Sequence, residues 1–579
     1  MVNFRGIENV SLIEFFKVSL QEGFIVSSEN ASAHPSSRQA IFLLLLTALV
    51  YIQTLGFAFM GFDDTPYILE NPKVHTWKAL PAYFLWSFGG QAFKDTAHTI
   101  PNLYRPAVAT WVLLNYKLFG AHAFPWRLAV LVLYLISVWL FWRLAWRLTG
   151  NDFVSISAAL LFALHPLHAE GIAWLSGSTV EQLLCLFFLS GFLSYLRWRD
   201  DPQPARLLLC GMLVLAALFS KETGMALPVL ILIHAVLFRP KNGPFPFRRF
   251  ASLAVAVIAP VFIYLLLRIL NVHGVVVSSA PASRWADAWH TTPLLFVSYL
   301  KNALWPLRLA NWYDVPIVTS ISQWQFYLPF VVCLAYLGIT VWAAVRKPLV
   351  GFLLFWWAVP LLPSFLGMLA FGDAEIMHDR FTFVALGGLC LLAAQILNRL
   401  PESGEPIFGF QPAAVAATLL LAISLGALTV RQAYTWKDDM SMAFRAFVVS
   451  PQVVRPRILL GAELVKRGRK SEAVDLYLDT LHIDPDRWES IFAYGTALAS
   501  NGEAEKGIRV LLHGTQVAPT RTAFYLALAE IFKYHGRVDE AARILEQGIP
   551  VADQPELLRA RLAQMQPPQM QPQRSAITP

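Results

Sequence analysis

Charge is the scarce component of this 579-residue sequence: Asp, Glu, Lys and Arg make up 15% of it, against 56% hydrophobic and 13% aromatic residues. With a mean hydropathy of +0.51, the chain has too little polar surface to clothe a soluble globule of its size. Cysteine is also rare. The four present, Cys185, Cys210, Cys333 and Cys390, all fall inside apolar runs, which excludes a disulfide framework or a metal-spaced cluster. Nucleophile-elbow, phosphate-loop and dinucleotide fingerprints are missing as well. No small-residue cleavage site follows the first apolar run, so that run reads as an uncleaved signal anchor behind a polar cytoplasmic segment, 1–39.

What is abundant is apolar sequence. Runs long enough to cross a hydrocarbon layer of roughly 30 Å lie near 40–59, 127–148, 153–169, 179–197, 206–220, 224–238, 249–269, 326–345, 349–369, 381–398 and 412–430. They predict an all-α fold, a polytopic bundle of about eleven transmembrane helices over 40–430 with a long outer loop at 60–126. Two aromatic-rich stretches, 103–120 and 290–310, are interrupted by Arg105, Lys117, Lys301 and Arg308 and suit helices in the interface. Arginine and lysine concentrate in alternate loops, at Arg143 and Arg147, then Arg197, Arg199 and Arg206, then Arg239, Lys241, Arg248 and Arg249, then Arg346, Lys347 and Arg399. Their bias puts the N-terminus in the cytoplasm and everything after 430 on the outer face, periplasmic in a bacterium and lumenal in a eukaryote.

Beyond a linker at 431–452 the pattern changes. Gly468, Gly502 and Gly536 recur every 34 residues, as do Pro451, Pro485 and Pro519. Glycine between two helices and proline after the second is the tetratricopeptide signature, which predicts about three repeats over 453–550, a short α-solenoid able to hold a peptide or partner protein. The stretch 551–579 reads as a helix and a Pro/Gln-rich tail.

The polar residues of the membrane part cluster on one side. Asp63 and Asp64 follow the first apolar run, and on the same outer side fall Tyr104-Arg105-Pro106, His165-Pro166-Leu167-His168-Ala169-Glu170, Ser176-Gly177, Ser220-Lys221-Glu222 and His378-Asp379-Arg380-Phe381. Taken singly, each has an ordinary reading: a solvated acid pair, a surface ion pair, an interfacial histidine, a snorkelling arginine. Their shared face and depth describe a site.

The order of these motifs, ending in 34-residue repeats, resembles the transmembrane and tetratricopeptide-repeat O-mannosyltransferases and their bacterial relatives, within the GT-C glycosyltransferases that use lipid-phosphate-linked sugars. The resemblance runs from about residue 40 to 550. It departs at His378-Asp379-Arg380, where glutamate is expected before the arginine, so Arg380 carries over more securely than Asp379.

The chemistry also follows from the residues. An acceptor hydroxyl needs a base on the water side of the bilayer, which either Asp63 or Asp64 supplies. A phosphate leaving group needs positive charge and no general acid, which points to Arg105, Lys221 and Arg380. Tyr104, His165, His168, Glu170, Glu222 and Asp379 are candidates for positioning donor and acceptor. His165, His168 and Glu170 also have the residue types for a divalent cation, although Pro166 interrupts their helical spacing; no metal is assigned and no cofactor is certain. The GT-C resemblance implies a single inverting displacement from a lipid-phosphate sugar. A membrane-anchored repeat scaffold without catalysis and a glycan polymerase, ligase or transporter are the alternatives. The expected partners are the polyprenyl-phosphate-linked sugar, membrane lipid and a protein or glycan acceptor, with no nucleic acid.

Overall fold

A computed structural model describes residues 37–85, 103–239, 246–272, 282–366, 376–401, 404–407 and 409–565. The N-terminal segment to residue 36, part of the first outer loop, Lys241 and the tail from 566 lie outside the described residues. The chain divides into two compact units: Met1–Asn311 with Val315–Lys437, and Trp312–Asp314 with Asp438–Pro579.

The first unit is a helical bundle, and the protein is an integral membrane protein. Among the described residues seven helices are long and apolar enough to cross a membrane: Ser37–Gly56, Ala123–Thr149, Leu175–Asp200, Phe247–Asn271, Trp324–Arg346, Pro348–Phe365 and Pro412–Trp436. Asp152–Ala163 and Pro166–Ala173, a pair bent by 48°, make an eighth if the two form one span. The break has a direct cause. Pro166 has no N–H to continue the ladder, and the His165 side chain accepts from the Leu167 N–H as the chain restarts. Pro204–Ser220, Glu222–Leu237 and Leu386–Leu397 are apolar but shorter, so three of the eleven expected spans are helices below membrane-spanning length. The segment expected to span from 381 instead opens as a 3-10 turn, Asp379–Thr382. The two stretches expected in the interface are helical, Pro106–Phe119 and Ala282–Leu304.

We label Pro106–Phe119 as α1, Ala123–Thr149 as α2, Asp152–Ala163 as α3, Leu175–Asp200 as α4, Pro204–Ser220 as α5 and Leu386–Leu397 as α6. Helix α2 packs against both α3 and α4, α4 packs against α5, and α6 lies against α3. Gly150 ends α2 in the left-handed region at φ 62, open to glycine without a Cβ penalty, and Asn151 then caps α3 by accepting from the Val154 N–H. Helix α4 is the bundle's centre, with 72% of its apolar window buried, whereas Trp324–Arg346 buries only 17% of its own and presents Val331, Leu334 and Val345 outward. Outward apolar side chains of this kind are stable against lipid, not water.

The second unit realises the 34-residue period as successive helix pairs: Val454–Lys466 with Lys470–Ile483, Trp488–Ser500 with Ala504–Val517, and Thr522–Tyr534 with Val538–Gly548. Gly468, Gly502 and Gly536 sit at the turns with φ of 79, 93 and 75, the left-handed conformation that closes a helix C-terminus. Gly461 and Gly495 recur at the same spacing because a Cβ there would meet Tyr477 at 2.4 Å and Leu511 at 2.7 Å. The stretch read as a linker is largely helical. Tyr434–Trp436 ends the first unit and Asp439–Val449 begins the second, capped where Asp438 accepts from the Ser441 N–H at 2.8 Å.

Candidate active site

The two adjacent aspartates have different surroundings. Asp64 is fully buried and accepts three hydrogen bonds, from the Met60 N–H at 2.9 Å and from the N–H and hydroxyl of Ser176. Burial pushes its carboxyl up, opposed by the Met60 and Ser176 donors and by the charge of Arg127. Asp63 is only half-buried. A carboxylate locked by three donors holds a loop in place, whereas its neighbour stays partly exposed.

Arg127, at the start of α2, was not singled out from sequence. It is buried, and its guanidinium donates to the carbonyls of Phe57 at 2.8 Å, Ala58 at 2.6 Å and Ala173 at 2.7 Å. It thereby ties the chain entering the aspartate loop to the turn that precedes Ser176. A lone arginine at the mouth of an apolar run was the signal available.

The other half of the site is built on carboxylate–cation pairs. Glu170 accepts from the Arg380 N–H at 3.0 Å and from its guanidinium, and lies 3.2 Å from Nδ1 of His378. Lys221 donates to Glu181 at 2.5 Å, both side chains being almost wholly buried. Arg105 donates to Glu222 at 2.9 Å, and Arg268 reaches the other oxygen of Glu222 at 3.2 Å. The ring of Phe381 joins two of these pairs, with the Lys221 ammonium 4.6 Å and the Arg380 guanidinium 5.2 Å from its centre. Arg105 and Arg380 both act on Lys221, whose pKa burial lowers and Glu181 raises. Arg105, Lys221 and Arg380 thus occupy one electrostatic neighbourhood. Glu181 and Arg268 are additions; acids and bases inside apolar runs announced them.

Local backbone places these cations. Pro106 starts α1 at the position where a missing N–H costs nothing, leaving Arg105 as its cap residue. Lys221 is the extended residue that ends α5, and the turn behind it folds back closely because Gly224 has no side chain, a Cβ there lying 2.7 Å from the Ala217 backbone.

Ser176-Gly177 joins the halves. Ser176 holds Asp64, while Gly177 makes room for Trp174, since a Cβ at 177 would lie 2.5 Å from that ring. Trp174 in turn carries the Arg380 guanidinium 4.6 Å from its ring centre and stacks on Trp436 at 5.4 Å and 9°. The Arg105 Nε and the indole nitrogens of Trp174 and Trp436 are buried without a hydrogen-bond partner among the described residues.

Other expected residues serve the scaffold. His165 contacts the Ala303 carbonyl at 3.0 Å and the Leu167 N–H. His168 spends one ring nitrogen on the Tyr134 hydroxyl at 2.9 Å and the other on the Phe383 carbonyl at 3.0 Å, and stacks on Phe383. These contacts run to the scaffold. Tyr104 is buried and donates to the Phe84 carbonyl at 2.8 Å. Asp379 is buried beside Arg380. His165, His168 and Glu170 do not converge, and among the described residues no group of three or more His, Cys, Asp and Glu side chains is arranged to hold a metal ion.

Residues 104–265 match the family model described as dolichyl-phosphate-mannose-protein mannosyltransferase. That span takes in Arg105, Arg127, Glu170, Ser176, Glu181, Lys221 and Glu222, and leaves Asp63, Asp64 and Arg380 outside. The chain is 23% identical over 474 residues to a protein O-mannosyl-transferase of Caenorhabditis elegans, covering 77% of this chain and 63% of that protein. It is 30% identical over 272 residues to the protein O-mannosyl-transferase Tmtc2 of Drosophila melanogaster, covering 45% of this chain and 28% of that one. It therefore spans less than two thirds of either relative's length. Among solved structures, ArnT from Cupriavidus metallidurans bound to undecaprenyl phosphate aligns with 88% of this chain and 80% of its own, at 15% identity and a TM-score of 0.35, too low to carry an argument. The chain thus resembles the transmembrane and tetratricopeptide-repeat O-mannosyltransferases in sequence as well as in motif order.

Proposed function

We propose that the chain is a membrane glycosyltransferase of the GT-C type, moving a sugar from a polyprenyl-phosphate donor onto an acceptor hydroxyl on the outer face, with inversion. The observation that carries this reading is the set of cations built on Phe381 and Glu222: Lys221 and Arg380 share the Phe381 ring, Arg105 pairs with Glu222, and the Arg105 Nε–H is buried with no acceptor among the described residues. An unmatched buried donor costs about 1–3 kcal/mol, and a phosphate oxygen offsets that cost.

In this reading Asp63 is the base. It takes the hydroxyl proton as the acceptor oxygen attacks the anomeric carbon, and the sugar–phosphate bond breaks in the same displacement. Negative charge then collects on the lipid phosphate, stabilised by Arg380 and Arg105 through directed N–H donors and by Lys221 as a point charge. Glu170, Glu181 and Glu222 hold these cations in position between turnovers. Asp64 and Arg127 fix the loop that carries Asp63.

The C-terminal helix pairs, read as tetratricopeptide repeats, bind a protein or glycan acceptor. Support comes from the 34-residue period and from glycines at each turn. The site and repeats face the periplasm of a bacterial inner membrane, which the arginine-rich alternate loops favour.

The test is release of polyprenyl phosphate from a polyprenyl-phosphate hexose by purified protein, with the anomeric configuration of the product determined. Retention of configuration, or no release above that of the Asp63→Asn protein, overturns the proposal.

A further inference from the structure

A second polar concavity lies away from this site, where the C-terminal end of α2, the C-terminal end of α4 and the N-terminal end of α5 meet. It is lined by Arg147, Arg197, Asp200 and Arg206 and has a volume of about 520 Å³. Its charges do not balance. Arg147 pairs with Asp200, Arg199 lies 3.6 Å from the same carboxylate, and Arg206 pairs with Asp201 at 2.8 Å. Arg197 has no carboxylate partner among the described residues, so the three lining guanidiniums meet one lining carboxylate, Asp200.

The arrangement differs from arginines that merely snorkel to water. Three helix ends bring their guanidiniums around one hollow, and Arg206 is fixed in it by the Asp201 carbonyl at 3.2 Å. The same end of α5 that supplies Arg206 also carries exposed apolar side chains. Leu208, Leu209 and Met212 are 66%, 45% and 60% exposed, and Leu209 lies one turn beyond Arg206 on the same side of the helix. On α2, Arg143 sits over the Trp139 ring at 5.7 Å, one turn before Arg147.

A positive pocket between helix ends, one of which carries exposed apolar side chains, fits a ligand with a phosphate at one end and a hydrocarbon chain at the other. We propose that this concavity binds the phosphate headgroup of an anionic phospholipid, with Arg197 and Arg206 on the phosphate and an acyl chain along Leu208, Leu209 and Met212. None of these residues belongs to the site proposed for catalysis, so the inference stands whether or not sugar transfer is found.

Native mass spectrometry of the full-length protein, titrated with phosphatidylglycerol, phosphatidylcholine or inorganic phosphate, tests it. Phosphatidylglycerol adducts should persist where phosphatidylcholine adducts dissociate. Arg197→Gln/Arg206→Gln should weaken phosphatidylglycerol roughly 10- to 30-fold. Asp200→Asn, which removes the lone lining carboxylate, should strengthen it, and this arm decides the matter if the double variant fails to fold. Equal retention of the two lipids, an unchanged affinity in both variants, or phosphate binding without phosphatidylglycerol binding would overturn the assignment.

Discussion

Ser176 gives both its backbone N–H and its hydroxyl to Oδ1 of Asp64, across 112 residues of sequence. That pairing turns one acid of an adjacent pair into part of the scaffold, and Asp63 is the more exposed of the two.

The two aspartates should therefore fail differently. Asp63→Asn is expected to lower transfer by about 10²- to 10⁴-fold, the range for loss of a general base, with the melting temperature unchanged. Asp64→Asn points an amide N–H at donors it cannot satisfy and should cost about 1–3 kcal/mol of stability. Thermal unfolding of both variants beside a transfer assay checks this, and normal transfer by the Asp63 variant removes its role as base.

Gly177→Ala places a methyl 2.5 Å from the Trp174 ring, forcing movement that costs about 1–3 kcal/mol. Because Trp174 carries Arg380, the apparent KM for the lipid-phosphate donor should rise more than kcat falls. Steady-state kinetics at two acceptor concentrations measures the split; unchanged donor KM argues that Trp174 and Arg380 are not coupled.

Glu181→Gln leaves the Lys221 ammonium buried without its carboxylate, a loss of about 3–5 kcal/mol. Removing both charges in Glu181→Gln/Lys221→Met should recover most of the stability while transfer stays absent. Recovery of activity in the double variant would show that Lys221 is structural only.

A cysteine introduced at Asn501 should react with an impermeant thiol reagent in intact cells, as should one at Asp63. Protection of either until the membrane is opened contradicts the arginine-bias topology.

Deleting 453–579 should raise the KM for a macromolecular acceptor and leave slow donor hydrolysis near its original rate, because tethering the acceptor supplies effective concentrations on the order of millimolar. Equal loss of both activities in an inserted protein would make the repeats part of the catalytic fold.

Much of this was legible in the chain itself. Apolar run length determines that helices form and lie in lipid, because backbone N–H and C=O groups have no other partner there. The 34-residue spacing of glycine places the turns of the C-terminal helix pairs, because the left-handed cap is a local backbone requirement. Both are local, so sequence alone decides them. The candidate site was only partly so. Motif order named Asp63, Asp64, Arg105, Lys221 and Arg380, yet could not say which aspartate is buried or that His168 is held between Tyr134 and Phe383. Nor could it pair Lys221 with Glu181, 40 residues away, or bring Trp436 onto Trp174. Those outcomes depend on which helices become neighbours, and a residue's burial, hydrogen bonds and charge partners exist only once that packing has formed.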